Sequence, residues 1–331
     1  MQAENRAVAS SSGSFRAGES VAADRFLDID PETFRTHFNR KPFLFRHHLS
    51  DHPLFRLPRL AELARTLPPS IVEYNAGKIP VSLPDQENTP YTGLSAEETV
   101  RRIEECSSWM VLKRAEADPE CLDVLNQCLD EIEPLSEEIE PGMCEREAAI
   151  FVTSPASITP YHMDKEINFL LQIRGSKTIS VFSASDREVL SEVELEEHFT
   201  GPAIHRNMVF HERYQERATV FELKAGYGVH IPTTDPHWIK NGDGVSISFS
   251  NGFKTRASLR RGMIYNLNGR MRKMGLDPTP YGKGALRDSI KYQAFRALRR
   301  AEEWLNRQPL GRLISERAGP AKTPQDLAQP Q

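Results

Sequence analysis

Between Ala149 and Phe249 the chain offers six short runs rich in β-branched and aromatic residues and no long helical period. The runs are Ala149 to Thr153, Ile167 to Ile173, Lys177 to Phe182, Ala218 to Leu223, Gly228 to Ile231 and Val245 to Phe249. Turn signals such as Arg174-Gly175-Ser176 stand between them. Closely spaced strands with no intervening helices cannot form βαβ units, so they must close on themselves as a sandwich or barrel. The antiparallel jelly roll is the architecture expected. The fold class read here is mainly β with flanking helices: a jelly-roll core with helical N-terminal decorations and C-terminal helices.

Beside the second run lies a His-x-Asp pair, His162 and Asp164. In an extended strand, side chains at i and i+2 leave on one face, so an imidazole and a carboxylate so spaced can converge on one metal ion. A third ligand must come from elsewhere, and His237 is the candidate. Two histidines and one carboxylate leave coordination positions open, which is the facial triad of non-haem iron oxygenases. His230 is a rival for the third place. Lys177 opens the strand after the turn, where its ammonium can hold a carboxylate. His198, His205 and His211 lie in an acidic, irregular insert between Asp186 and Gln215 and show no ligand spacing.

The order Thr159-Pro160-x-His162-x-Asp164, then Asn168-Phe169, then Gln172-Ile173-x-Gly175-x-Lys177 resembles the JmjC-type, cupin-like Fe(II)- and 2-oxoglutarate-dependent oxygenases. It is most similar to the branch that includes the asparaginyl hydroxylase of hypoxia-inducible factor. Ile231-Pro232, His237-Trp238 and Val245 to Phe249 resemble that family's distal-histidine region. The resemblance covers residues 148–253 and is looser from residue 25. It implies a double-stranded β-helix with the metal at its open end, held by His162, Asp164 and His237. It implies 2-oxoglutarate as cosubstrate, with Lys177 and Thr159 at its distal carboxylate and Asn168 nearby; Arg174 and Lys113 are the alternative cations. Dioxygen, and a peptide or small-molecule substrate hydroxylated with release of succinate and carbon dioxide, are implied in the same way. So is a homodimer through C-terminal helices. His230 stands where the family usually has an aromatic residue, so a packing or pocket-lining place is expected for it. Thr234-Asp235-Pro236 departs from the family pattern, which has aromatic residues before the distal histidine. A cupin-like binding or regulatory protein without turnover is the alternative reading.

The remaining sequence bounds the organisation. Residues 1–20 are polar and read as a disordered segment, 21–253 as the oxygenase-like domain with its barrel core at 148–253, 254–317 as a basic helical region, and 318–331 as a disordered tail. No apolar run approaches the ~20 residues of a membrane-spanning helix, and the N-terminus lacks the apolar core of a secretory signal. A cytoplasmic protein is expected. The four cysteines, Cys106, Cys121, Cys128 and Cys144, show neither zinc nor disulfide spacing and read as reduced thiols. Charge is uneven: Glu116 to Glu147 carries twelve acidic residues and one basic, whereas Lys254 to Arg307 carries fourteen basic and four acidic. The net charge of −4 and the absence of a nucleic-acid motif argue against nucleic acid as partner. Ser95 and Glu98 predict a helix-opening capping box. Residues 76–93 read as a loop and candidate lid. A stripe of Ile290, Ala294, Ala297, Ala301 and Trp304 predicts a C-terminal helix with that face in the core.

Overall fold

The computed structural model describes residues 8–9, 25–83, 92–200 and 208–307. The tail at 318–331, His205, the middle of the candidate lid and nearly all of the 1–20 segment fall outside the described residues. In chain order the strands are β1 (Val8–Ala9), β2 (Leu27–Asp28), β3 (Phe43–His47), β4 (Val72–Ala76), β5 (Ser108–Lys113), β6 (Cys144–Thr153), β7 (Ile158–His162), β8 (Ile167–Arg174), β9 (Ser176–Val181), β10 (Thr219–Lys224), β11 (Tyr227–Ile231), β12 (His237–Asn241) and β13 (Ser246–Lys254). The α-helices are α1 (Pro31–His37), α2 (Leu57–Thr66), α3 (Ala96–Arg101), α4 (Pro119–Glu137), α5 (Glu192–Thr200), α6 (Arg256–Lys273) and α7 (Ala285–Arg307). By its internal contacts the chain divides into two units, residues 1–191 with 203–258, and residues 192–202 with 259–331.

In the first unit the strands make two sheets, of order β1-β10-β9-β12-β7 and β2-β3-β11-β8-β13-β6-β5-β4. Apart from the β1–β10 pair, which is parallel, every pairing is antiparallel. From β6 to β13 the chain crosses between the sheets, with β6, β8, β11 and β13 in one and β7, β9, β10 and β12 in the other. This is the double-stranded β-helix of the cupin type. Val8–Ala9 pair with β10, so at least these two residues of the segment read as disordered take part in a sheet.

Strand alternation sorts the larger sheet's side chains between two cores. On one face, Ile167, Phe169, Leu171 and Ile173 of β8 and Ile150 and Val152 of β6 pack with the N-terminal helices. On the other, Leu170 of β8 and Val229 and Ile231 of β11 meet Ile179, Val181, Phe221, Leu223 and Ile239 of the smaller sheet. Because both faces are covered, β8 reads as a nearly continuous apolar run. Its odd-numbered residues hold the helices and its even-numbered residues line the barrel.

The helices obey local rules. Asp30 caps α1, its carboxylate accepting the Thr33 N–H, with Pro31 in the first turn. The capping box at Ser95 and Glu98 is present on α3. In α4, Cys121, Leu125, Cys128, Leu129 and Ile132 are buried, whereas Leu122 is 39% exposed. Its position one residue after Cys121 turns it off the buried stripe. Burial raises the Cys121 and Cys128 thiols well above their usual range, so both are inert packing groups.

In the second unit, Glu196 of α5 is fully buried and accepts from Asn268 and Arg272 of α6. The stripe of α7 predicted to be core is exposed instead: Ile290 is 60% and Trp304 62% exposed, while Phe295 is buried. Periodicity alone does not say which face of a helix has a partner. Among the described residues no helix is long and apolar enough to cross a membrane.

Phe169 joins the β-helix to the N-terminal layer, with ring contacts to Phe34, Phe38, Phe43, Phe45 and Phe253. Phe169→Ala is expected to lower stability by about 3–5 kcal/mol, read as an earlier midpoint in chemical denaturation.

Candidate metal centre

Three strands of the smaller sheet carry most of the site. β12 lies between β7 and β9 and pairs with both. Its first residue, His237, stands opposite His162 of β7, and Ile239 stands opposite Thr159. Two steps along β12 thus match three along β7, so β7 holds one extra residue as a bulge. In a regular strand Thr159 and His162 would leave on opposite faces. The bulge turns both into the same cavity, whose lining includes Thr159, His162, Asp164, Asn168, Lys177 and His237.

The predicted ligands converge, though not as the spacing alone implied. β7 ends at His162, so Asp164 reaches the site from the turn between β7 and β8 rather than from a strand. The Asp164 Oδ2 lies 3.9 Å from His162 Nε2 and 3.8 Å from His237 Nε2. One ligand atom from each of the three residues falls within 4.8 Å of the others. Among the described residues this is the one such group of three or more histidine, cysteine or acidic side chains.

Protonation follows from the hydrogen bonds. His162 Nδ1 lies 2.7 Å from the Pro160 carbonyl oxygen and His237 Nδ1 lies 3.0 Å from that of Asp235. A carbonyl only accepts, so each Nδ1 carries the proton and donates it. In the neutral ring this tautomer puts the lone pair on Nε2, the nitrogen nearer the carboxylate. Burial, then the neighbouring His162, pushes His237 down to about 4, which keeps its imidazole neutral. Two imidazole nitrogens and a carboxylate oxygen thus stand within a few ångströms of one another. That donor set suits a divalent cation.

Across the cavity, Lys177 of β9 is 5% exposed. No carboxylate or hydrogen-bond acceptor among the described residues pairs with its ammonium, and burial alone lowers it to about 7. Thr159 Oγ1 accepts the Trp109 indole N–H at 3.1 Å, which leaves its own proton to donate. Asn168 Oδ1 accepts from the Ser250 hydroxyl at 2.8 Å, which fixes the amide nitrogen as the free donor end. The alternative cations lie elsewhere: Lys113 pairs with Glu73, and Arg174 is exposed at the end of β8.

His230 is excluded as a ligand by its strand parity. It leaves β11 on the face opposite Ile231 and Val229 and packs among Phe38, Phe43 and Phe169. Its Nδ1 donates to the Asn168 carbonyl and its Nε2 accepts the Asn39 N–H. His198 and His211 join no metal-ligand group among the described residues. Sequence reasoning missed Phe151, Thr153, Leu170, Ile231 and Ile239, which complete the lining. Only their strand alternation marks them. Thr234-Asp235-Pro236, the departure from the family pattern, is not part of the lining and acts through the backbone instead.

No protein-family model and no curated protein matches this sequence. Among solved structures it is similar to Escherichia coli ycfD, at 16% identity over 86% of this chain and 69% of that chain, with a TM-score of 0.46. Another structure of that protein, described as a ribosomal oxygenase in complex with cobalt and succinic acid, matches at 16% identity over 86% of this chain and 68% of that chain, with a TM-score of 0.41. A third, in complex with cobalt and 2-oxoglutarate, matches at 14% identity over 86% of this chain and 68% of that chain, with a TM-score of 0.41. No asparaginyl hydroxylase is among these three.

The two buried histidines give opposite expectations in a Co(II) titration. His237→Ala is expected to lose the bound equivalent. His230→Ala is expected to keep one equivalent while losing stability, because the Asn39 N–H and Asn168 carbonyl lose their partner. Equilibrium dialysis with thermal denaturation reads both.

Proposed function

We propose that the protein is an Fe(II)- and 2-oxoglutarate-dependent oxygenase that hydroxylates a C–H bond of a protein side chain, an amino acid or a small metabolite. One observation carries the reading. A two-histidine, one-carboxylate donor set and a buried lysine with no counter-ion among the described residues line the same cavity. The ammonium calls for an anion and the donor set for a metal ion. A dicarboxylate cosubstrate bound at the metal answers both features.

His162, Asp164 and His237 would hold the iron. When bound, iron, dioxygen and 2-oxoglutarate supply the oxidising chemistry, with succinate and carbon dioxide as co-products. The chain's own residues bind and orient. Lys177 offers its ammonium and Thr159 its hydroxyl proton to the distal carboxylate. The Asn168 amide N–H, fixed by Ser250, donates into the cavity. Leu170, Ile231 and Ile239 exclude water and so strengthen these charged contacts.

The first test is an anaerobic titration with Fe(II) and 2-oxoglutarate, followed by the visible metal-to-ligand charge-transfer band. The band is expected in the native protein and not in His237→Ala. Iron binding without the band would remove the cosubstrate assignment. Succinate release that depends on Fe(II) separates an oxygenase from a binding protein without turnover.

The Lys177 pKa sets a pH dependence. The ammonium is the form that holds a carboxylate, and a bound carboxylate raises the lysine's pKa above its free value of about 7. Affinity for 2-oxoglutarate is therefore at its maximum below pH 7. It falls as pH rises through 7, approaching tenfold per unit until the bound-state pKa is reached. Lys177→Met is expected to weaken 2-oxoglutarate strongly at pH 6.5, flatten this dependence and leave Co(II) affinity nearly unchanged. Isothermal titration across the pH range checks all three.

A further inference from the structure

The metal ligands are held by a turn that is itself strained. Pro232 to Asp235 form a tight turn in which the Asp235 N–H donates to the Pro232 carbonyl at 3.2 Å. Its third residue, Thr234, has φ +67°. Glycine or asparagine is ordinary there, but a β-branched residue is an outlier costing roughly 1–3 kcal/mol, so neighbouring contacts must impose the conformation.

The same turn touches both ligand-bearing segments. The Thr234 N–H donates to the Asp164 carbonyl at 2.9 Å. The Thr233 hydroxyl donates to the Lys165 carbonyl at 3.0 Å. The Asp235 carbonyl accepts the His237 Nδ1–H. The turn is thus bonded to the segments that carry both Asp164 and His237.

One residue from a distant part of the sequence grips the turn. Asn39, two residues beyond α1, also has a positive φ of 52°, which asparagine tolerates well. Its Oδ1 accepts the Thr233 N–H at 3.0 Å. Its Nδ2 donates to Glu140 Oε1 at 2.8 Å, and its backbone N–H donates to His230 Nε2 at 2.9 Å. Glu140 is held in turn by the Thr255 hydroxyl at 2.8 Å. The bonds to Glu140 and His230 thus hold Asn39 by its side-chain amide and its backbone N–H, and the amide oxygen so placed holds the turn.

We infer that Asn39 is a positioning residue for the metal site, clamping the Pro232–Asp235 turn so that Asp164 and His237 face a common point. The inference rests on the metal reading proposed above. Partners beyond the ligands are worth about 10–100-fold in metal affinity where they orient them, and Asn39→Ala is expected to weaken Co(II) within that range.

The test is Co(II) binding to the full chain, read by affinity and by the ligand-field absorption spectrum, which reports coordination geometry. Asn39→Ala should lower affinity and alter the spectrum. Leu60→Ala, a core truncation with no hydrogen bond to the turn, should lower the melting temperature while leaving both unchanged. Asn39→Asp combined with Glu140→Gln exchanges donor and acceptor but keeps the acceptor for the Thr233 N–H, and should restore affinity and spectrum. Asn39→Ala with native affinity and spectrum would overturn the inference, as would a failure of the exchanged pair to restore either. If the native protein binds no Co(II), the metal reading itself fails. If it binds Co(II) and Asn39→Ala matches it, only the positioning role fails.

Discussion

The pairing of β12 with strands on both of its edges is the constraint on which the site depends. Its five residues bond to β7 on one side and β9 on the other. Through those two ladders, His237 is placed against His162, and Asn241 against Lys177. A one-residue slip of β12 would reverse every side chain and turn His237 out of the barrel. Register is therefore protected twice, by the apolar alternation that buries Ile239 and by pairing on both edges.

Within that frame the site trades folding stability for affinity. Lys177 gives up hydration with no ion-pair partner among the described residues, and Thr234 occupies a backbone region that threonine avoids. Such groups persist only where the surroundings over-determine them. Two packed sheets supply that support below, and the Asn39 hydrogen bonds supply it at the turn. Lone pairs on His162 and His237 are aimed by backbone carbonyls of their own neighbours, at Pro160 and Asp235. Each imidazole thus carries its orienting acceptor two residues before it in sequence. The bond is local, and only the convergence of the two rings is not.

Much of this was legible in sequence. The run from Ile167 to Ile173 reads as a strand, and the capping box of Ser95 and Glu98 announces its helix. His162, Asp164, His237, Lys177, Thr159 and Asn168, the residues the motif singles out, all line one cavity. Other features were hidden for stated reasons. β7 and β12 are short and polar, so their strand character comes from neighbours rather than from composition. Asp164 sits in a turn because β7 stops at His162. The apolar stripe of α7 has helical spacing, but spacing carries no information about what covers it. His230, a rival ligand by residue type but expected to pack or line the pocket, packs among phenylalanines, as strand parity requires.

What the sequence by itself determined is local: strand and helix periods, caps, and the chemical types available to a metal and a carboxylate. Those properties depend on residues a few positions apart. What only the tertiary structure decided is coincidence in space. The β7 bulge brings Thr159 and His162 to one face, β12 sets His237 beside them, and Asn39 reaches a turn nearly two hundred residues away. Such contacts depend on register and closure between segments far apart in the chain. No pattern within one segment encodes them, because each segment is equally satisfied with its partner one residue out of step until the cores on both faces of the sheet are packed.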